Sequence, residues 1–479
     1  MLFFSVSVLL AQYDASHPDK SPVEEGKNEK SLNVNIDAAL LYGQYNSINS
    51  DFSVTQDFEN FSYQLNSDFK RSNDYGYSNT SFFENKIGFT GMADLTESWK
   101  FIPTLEVEND SHGMYSNPVY SREENDHIVI RFKNEYTPTP ARWNINVGGA
   151  NYVHRLISAG LGDVDNQSYF KAEGQIGWEY GWSAAVLVKV ASKFAHYDYN
   201  TTSDNDTYVA NDLIGSFKMT EYILITLGPT YSWNRDATHF GGGKISVSSV
   251  NLKNFTLEAG YQYDLKPFEP EILYKDQKFV LPDFGLAPEK VHRAECKVGF
   301  EYRNDSESTV YVKSIKFKAV GTFEKHDGYY NFHIVYGNLI TPDSIELLSA
   351  RGKGEINMEM QMGKENSLRV GASYEYNYFY CDSNITYKPV YIAAASIKFQ
   401  IFRFGIDWNN SLMGSVFIDP ESDTKLDRAL IGSVSVYYKI LDSFYLYGKV
   451  DNIYDTRYHY RFGYPEPGRL FLGGLRIQI

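Results

Sequence analysis

The chain has only two cysteines, Cys296 and Cys381, in 479 residues. That is too few for a disulfide-stapled scaffold, and in the strand reading below they fall on opposite faces of their strands, so free thiols are expected. No apolar run approaches the roughly 20 residues that a membrane-spanning helix needs. A helical membrane protein is therefore excluded, but a barrel is not, because barrel strands satisfy their backbone groups by pairing with one another. Positive charge is in deficit, with 45 Lys plus Arg against 60 Asp plus Glu and a net charge of −15. This argues against nucleic acid as a partner and suits acidic surface loops. The 10 histidines show no pair at metal-ligand spacing on one face, and no Ser/His/acid set can be placed together. No metal, no cofactor and no enzymatic centre are expected.

What the chain has in excess is aromatic. Phe, Tyr and Trp make up 16% of residues, with 39 tyrosines and 36 glycines, at a mean hydropathy of −0.40. A transmembrane barrel accounts for this combination, because aromatic girdles sit at both interfaces while lumen residues keep the average hydropathy low. The apolar opening, Leu2 to Ala11, reads as a signal-peptide core without a basic start, giving an expected signal peptide over residues 1–12. The Lys/Glu/Ser/Pro-rich tract 13–31 reads as a polar linker.

From residue 32 to 479 the period is two almost without relief. Val34, Ile36, Ala38, Leu40 and Tyr42 share one face, opposite Asn33, Asn35 and Asp37. Ile87, Phe89, Gly91, Ala93 and Leu95 run into a Thr96-Glu97-Ser98 turn, and Trp99, Phe101, Leu105 and Val107 lead back out. Ile356, Met358, Met360 and Met362 oppose Glu355, Asn357, Glu359 and Gln361, and after a turn Leu368, Val370, Ala372, Tyr374, Tyr376 and Tyr378 repeat the pattern. Further short turns are expected at Tyr180–Trp182, Ile401–Arg403 and Leu441–Ser443. Long polar segments are expected as loops at Asn109–Asp126, Tyr199–Asp212, Asp264–Lys290, Asn409–Asp427 and Asp451–Arg469. Short turns on one side and long loops on the other are the arrangement of outer-membrane barrels, with the long loops extracellular. At about 20 residues per strand and connection, the length predicts an all-β, antiparallel transmembrane barrel of about 22 strands in the cell outer membrane.

Charges on the polar face are the candidates for lining the lumen. Arg293, Glu295, Lys297, Glu301 and Arg303 share the face opposite Ala294, Cys296, Val298, Phe300 and Tyr302, and Arg351, Lys353 and Glu355 share a second such face. Such a mixed-charge ladder can line a polar pathway or simply pair across strands and stiffen the wall. Asp198, Asp204, Asp206 and Asp212 cluster in one stretch, but their spacing is not that of an EF-hand and a solvated loop is expected. His239–Lys244, HFGGGK, lacks the ending of a phosphate-binding loop and reads as a flexible turn.

The last thirty residues carry the most specific pattern. Phe471, Gly473, Leu475, Ile477 and Ile479 share one face of a strand that runs to the C-terminus, and Leu470, Leu472, Gly474, Arg476 and Gln478 share the other. Before it stand Asn452, Ile453, Tyr454, Asp455, Tyr458, Gly463, Tyr464, Pro465, Pro467, Gly468 and Arg469. This segment resembles the C-terminal end of the TonB-dependent receptors: an Asn-Leu-Phe-Asp-like turn, a Tyr, a Gly-Tyr-Pro-x-Pro-Gly-Arg loop and a terminal strand. Ile479 stands where an aromatic is usual. Pro288, Glu289, Glu295 and Gly299 are similar to a strand entry of that family, as are Tyr387 and Pro389, and loosely the stretch Ala350–Met360. The likeness is clear from about Pro267 onward and only architectural before it.

The resemblance implies uptake of a small nutrient of the metal-chelate, siderophore or cobalamin class. It also implies outer-membrane lipid around the wall, a barrel-assembly machinery that reads the C-terminal strand, and the TonB complex as an energy-coupling partner. Against the last stands the brevity of residues 13–31, where neither a plug domain nor a TonB box is discernible. The alternatives are a plugless passive porin-like channel, or a structural or adhesive surface barrel that acts through its extracellular loops.

Overall fold

The computed structural model describes residues 33–479, apart from positions 76, 116, 251 and 364 and the stretches 160–163, 184–185, 200–204, 235–238, 269–279, 282–285, 305–308 and 336–338. The expected signal peptide (1–12) and linker (13–31) lie outside the described residues.

Twenty-two strands form one sheet, each hydrogen-bonded to its neighbours in chain order. The wall begins with β1 (Asn33–Gly43), β2 (Ile48–Asp57), β3 (Phe61–Ser72) and β4 (Phe82–Thr96). It rises through β5 (Trp99–Gly113), β6 (Tyr120–Tyr136), β7 (Ala141–Ser158), β8 (Val164–Ser183), β9 (Val186–Tyr199) and β10 (Asn205–Lys218). Shorter strands follow: β11 (Ile223–Asn234), β12 (His239–Ser249) and β13 (Phe255–Lys266). After β14 (Glu289–Arg303) come the two longest, β15 (Val310–Ile334) and β16 (Ile340–Met362), then β17 (Asn366–Tyr380). The wall ends with β18 (Tyr391–Ile401), β19 (Phe404–Met413), β20 (Ala429–Leu441), β21 (Phe444–Asp451) and β22 (Leu470–Gln478).

The last strand pairs with the first in an antiparallel register running from Asp37↔Gln478 to Gly43↔Leu472. Ile36 and Ile479 exchange backbone hydrogen bonds of 2.8 Å in both directions. The sheet therefore has no edge, which is the condition for crossing a bilayer with strands. On the lumen side Arg476 forms a forked ion pair with Asp37 across this seam. Gly474 lies so close to the Leu40 carbonyl that a Cβ would not fit, whereas Gly473 faces open space on the outer side.

Alternation decides which side of the wall each residue takes. Leu40 and Tyr42 are each 58% exposed while Leu41 between them is buried. Val147, Leu213, Phe255, Phe323, Ile356, Leu446, Phe471 and Leu475 are likewise exposed on the outside. This is the apolar band a bilayer covers, and the expected faces of β1 and β22 are those observed. The connections at Glu97–Ser98, Phe402–Arg403 and Asp442–Ser443 are as short as expected and share one end of the barrel. At the other end lie the long ones, notably 267–288, 414–428 and 452–469.

Several expected loops are shorter than their polarity suggested. β5 and β6 extend into Asn109–Asp126 and leave only 114–119 between them, while β10 takes up 205–212. Asp206 and Asp212 accordingly stand on a strand and Asp198 on β9, with Asp204 outside the described residues. In β10 the inward face is kept by Tyr208 and Ala210, both buried, so the stretch pairs as strand although most of its other residues are polar. HFGGGK is not a turn but the start of β12. Its glycines admit a close neighbour: a Cβ on Gly242 would strike the Tyr263 carbonyl. The turn expected at Tyr180–Trp182 lies within β8, which runs on to Ser183. Cys296 and Cys381 are free thiols, as expected.

Candidate functional site

The outer face of β15 is apolar through Phe317, Ala319 and Phe323 and turns charged at Lys325 and Asp327, which places everything beyond that level outside the hydrocarbon. With 25 and 23 residues, β15 and β16 far exceed the 9–11 that a tilted strand needs to cross. Just above Lys325 the ladder slips by one residue between Asp327 and Tyr329. Gly328 at this slip takes φ +92°, a conformation that disfavours any side chain. Above it, Tyr329 to Ile334 loses the alternation, and Phe332, Leu339 and Ile340 are buried.

The upper hairpin bends inward over the mouth. From Gly328 to Val335 it spans roughly 23 Å at about 3.3 Å per residue. A 22-stranded wall with strands roughly 4.8 Å apart and tilted about 40° has a radius of roughly 22 Å, so the hairpin is long enough to cross the mouth. There it meets loops and strand ends from the far side. Phe332 and Ile340 pack with Tyr152, Tyr169, Tyr197, Tyr199 and Phe268. Leu339 packs with Met114, Leu156 and Tyr464.

Buried polar groups fix the same assembly. The Asn331 side chain donates to the Asn384 carbonyl at 2.9 Å and accepts from the Thr386 amide (3.0 Å) and hydroxyl (2.8 Å). The Thr386 hydroxyl accepts from the Phe332 amide at 3.1 Å. Tyr75 donates to the Pro465 carbonyl at 3.2 Å. Arg461 lies 4.2 Å over the Tyr387 ring; burial pushes its guanidinium down to about 10, opposed by Tyr387 and Glu123. Burial likewise raises the Tyr387 phenol to about 12. A cap made of one strand hairpin and several loops thus stretches across the extracellular end.

Under the cap lies a cavity of about 870 Å³, within the range of small-ligand sites. Its roof is aromatic, with Tyr75, Tyr115, Tyr458 and Tyr464. Its wall is mostly small and hydrogen-bonding, as at Ser373, Ser396, Asn409, Ser411 and Ser433. The wall charges that reach it stand beside partners on the wall, and the 452–469 connection adds Glu466. Lys449 pairs with Asp451 at 2.9 Å, Glu355 with Lys353 at 2.6 Å, Lys70 with Asp68 at 3.3 Å, and His112 stands 3.0 Å from Asp110 and 3.8 Å from Glu84. The chamber can therefore stack rings and exchange hydrogen bonds without carrying a strong field of one sign.

Of the residues singled out in the sequence, the C-terminal motif divides. Asn452, Tyr458, Pro465 and Gly468 line the chamber. Arg469 instead donates to the Ile453 carbonyl at 3.1 Å, and its amide donates to Asp455 at 2.8 Å, which holds the loop's two ends together. Gly463 (φ +79°) makes the turn between the short strands His459–Arg461 and Tyr464–Pro465. The charged ladder stands largely apart from the chamber. Arg293 pairs with Glu324, Lys297 with Glu295 at 2.6 Å and Glu258 at 3.6 Å, and Arg303 and Lys316 both with Glu301. Glu355 is the one ladder member in the chamber lining, and Arg351 sits on β16 opposite Thr322 and Asn377. The cap and the tyrosines beneath it were not expected. The signal for them is the aromatic and apolar richness of Tyr329 to Ile340, unusual for a loop, though Asn331 and His333 interrupt it.

No family description matches the chain, and no curated protein does. Solved structures do. The copper transporter OprC matches with a TM-score of 0.67 at 12% identity, covering 95% of this chain and 82% of its own. The siderophore receptor PirA from Acinetobacter baumannii matches at 0.70 and 10% identity, covering 95% and 81%. The FrpB iron transporter from Neisseria meningitidis matches at 0.67 and 10% identity, covering 93% and 81%. At such identities the likeness is one of fold: the chain forms the closed 22-stranded barrel found in the TonB-dependent receptors.

Proposed function

We propose that this barrel resides in the outer membrane and takes up a small nutrient of the metal-chelate, siderophore or cobalamin class. The observation that supports the reading is the chamber of about 870 Å³ under the cap, roofed by Tyr75, Tyr115, Tyr458 and Tyr464. A permanently open porin needs no such roof, and an adhesin needs no chamber. Aromatic rings over a wall of hydroxyls and amides suit a compact, ring-bearing chelate, which offers π faces and hydrogen-bonding oxygens together. The structural neighbours named for copper, siderophore and iron transport point the same way. In this reading the lumen charges Arg293, Glu295, Lys297, Glu301, Arg303, Arg351, Lys353 and Glu355 stiffen and line the wall of the path, with Glu355 at the chamber itself. TonB and the barrel-assembly machinery are the partners that the fold suggests.

The test is uptake. A strain lacking the gene, and the same strain complemented, are supplied with a ferric catecholate, a copper chelate or cobalamin as the only source of that nutrient. Complementation-dependent accumulation of one of them, reduced by Tyr458→Ala, is the expected result. Equal accumulation of all three with and without the gene would sink the reading.

A further inference from the structure

The outer face of β3 to β6 carries a hollow that the uptake reading does not use. The cross-strand register sets its height. Ile87, Val107 and Ile128 stand side by side as the last wholly apolar row on β4, β5 and β6, with Ile87 and Ile128 exposed. The row above is Asn85, Asn109 and Asp126, and the next is Arg71, Phe83, Ser111 and Glu124. Arg122 stands one outward step above Glu124 on β6. Polar residues begin where the hydrocarbon ends, so the hollow, of about 470 Å³, opens into the headgroup layer. Charge then sorts its residues. Asp126 is held by Arg155 of β7 and by the Asn109 amide, both at 2.6 Å, and Glu124 lies 3.8 Å from the same guanidinium. Asp110 turns inward, 3.0 Å from His112 and 3.3 Å from the Asn125 amide. Arg71 and Arg122 are the cations left over. Both are exposed, and neither has a carboxylate partner among the described residues. Between them stands the exposed ring of Phe83, braced edge-on by Phe69 at 5.6 Å.

We propose that this hollow binds the phosphorylated sugar headgroup of a glycolipid in the outer leaflet, with Arg71 and Arg122 as its phosphate ligands and Phe83 against the sugar. A guanidinium presents a planar fork of N–H donors that matches phosphate oxygens two at a time. β3 and β6 stand roughly 14 Å apart at about 4.8 Å per strand, too far for one phosphate to bridge but a fit for a headgroup that carries two. The height of the site selects a lipid over free phosphate. A headgroup here lets its acyl chains run down over Ile87 and Ile128, and attraction between basic residues and lipid phosphate is strongest at the membrane surface. The inference rests on the outer-membrane reading and is independent of the cargo. Its consequence reaches the chamber, because β3 to β6 carry the 73–81 and 114–119 connections that supply Tyr75 and Tyr115 to the roof. A bound lipid clamps the wall beneath both.

The test uses the full chain purified in detergent and shown to be folded by heat-modifiable gel mobility. It is incubated in mixed micelles with bisphosphorylated lipid A, or with the same lipid after enzymatic removal of its phosphates, and the lipid retained per barrel is counted by native mass spectrometry. The parent is expected to retain the phosphorylated form roughly tenfold more than the dephosphorylated one. Arg71→Gln with Arg122→Gln is expected to cut that retention roughly tenfold, the loss of charge-assisted bonds to phosphate. Lys290→Gln with Lys325→Gln removes the same charge from the outer face of β14 and β15 and is expected to leave retention unchanged. Equal loss in the two double variants would mean diffuse attraction to a cationic surface, and equal retention of the two lipids would mean adhesion of acyl chains alone. Either result overturns the proposal, as does undiminished retention in the arginine variant. None of them bears on uptake, and the outer-membrane reading is checked separately by the membrane fraction in which the barrel sediments.

Discussion

Two adjacent glycines at the seam offer a sharp test of the closed barrel. Gly473 and Gly474 lie side by side in β22, paired with Tyr42 and Leu41 of β1. A Cβ on Gly473 meets nothing within 4 Å, whereas one on Gly474 strikes the Leu40 carbonyl and approaches Leu41 Cα at 2.9 Å. The obstacle is backbone, so Gly474→Val cannot be absorbed by a rotamer change and must push β1 away from β22. Overpacking of this kind costs about 1–3 kcal/mol, and losing two ladder hydrogen bonds about 1 kcal/mol each, or about 3–5 kcal/mol together. That raises the ratio of open to closed seam by roughly 10² to 10⁴. Gly473→Val adds a β-branched side chain facing lipid and is expected to be neutral or mildly stabilising. The assay is heat-modifiable gel mobility after extraction from membranes. Gly474→Val should lose the fast-migrating folded band at a markedly lower temperature than the parent, and Gly473→Val should match it. Equal behaviour of the two variants would refute a seam in which β22 and β1 are in contact.

The sidedness of the wall is tested at β7. Val147→Lys puts a charge on the lipid face and should cost about 2–4 kcal/mol in urea unfolding from bilayers, while Asn146→Lys on the lumen face should be nearly neutral. The cap is tested at its tip, where Leu339→Ala removes a fully buried side chain and should cost the cap about 2–5 kcal/mol. Hydrogen exchange should then quicken in 329–345 and 381–390, while the melting of the barrel itself stays unchanged.

The wall was legible in the sequence for a physical reason. Where lipid lies on one side and the lumen on the other, every second residue must be apolar, so Val34 to Tyr42 and Leu470 to Ile479 announce their faces. Strand number followed from length alone, since each crossing takes a nearly constant number of residues. Above the bilayer that constraint lapses. Residues 205–212 are strand but were read as loop, because their polar residues outnumber the two, Tyr208 and Ala210, that pack inward. The cap was hidden for another reason: its contacts join distant parts of the chain. Tyr75 meets Pro465 and Asn331 meets Thr386, and nothing local at either partner foretells the other. The charged ladder shows the limit of facial reasoning. Its face was readable, but the partners were not: Arg293 and Glu301 reach across to β15, whereas Lys353 and Glu355 pair along one strand.

Strand lengths set how the barrel sits in its membrane. From β18 through β22 and on to β3 the strands hold between 8 and 13 residues, against 25 and 23 in β15 and β16. The shortest, β21 with 8 and β22 with 9, fall at or just below the minimum of about 9 for a crossing. This arc has no spare height, so it alone fixes the depth at which the two leaflets meet the protein. The tall strands are free to lengthen into water without changing that fit. The rim is therefore oblique, and the chamber takes most of its lining from the low arc.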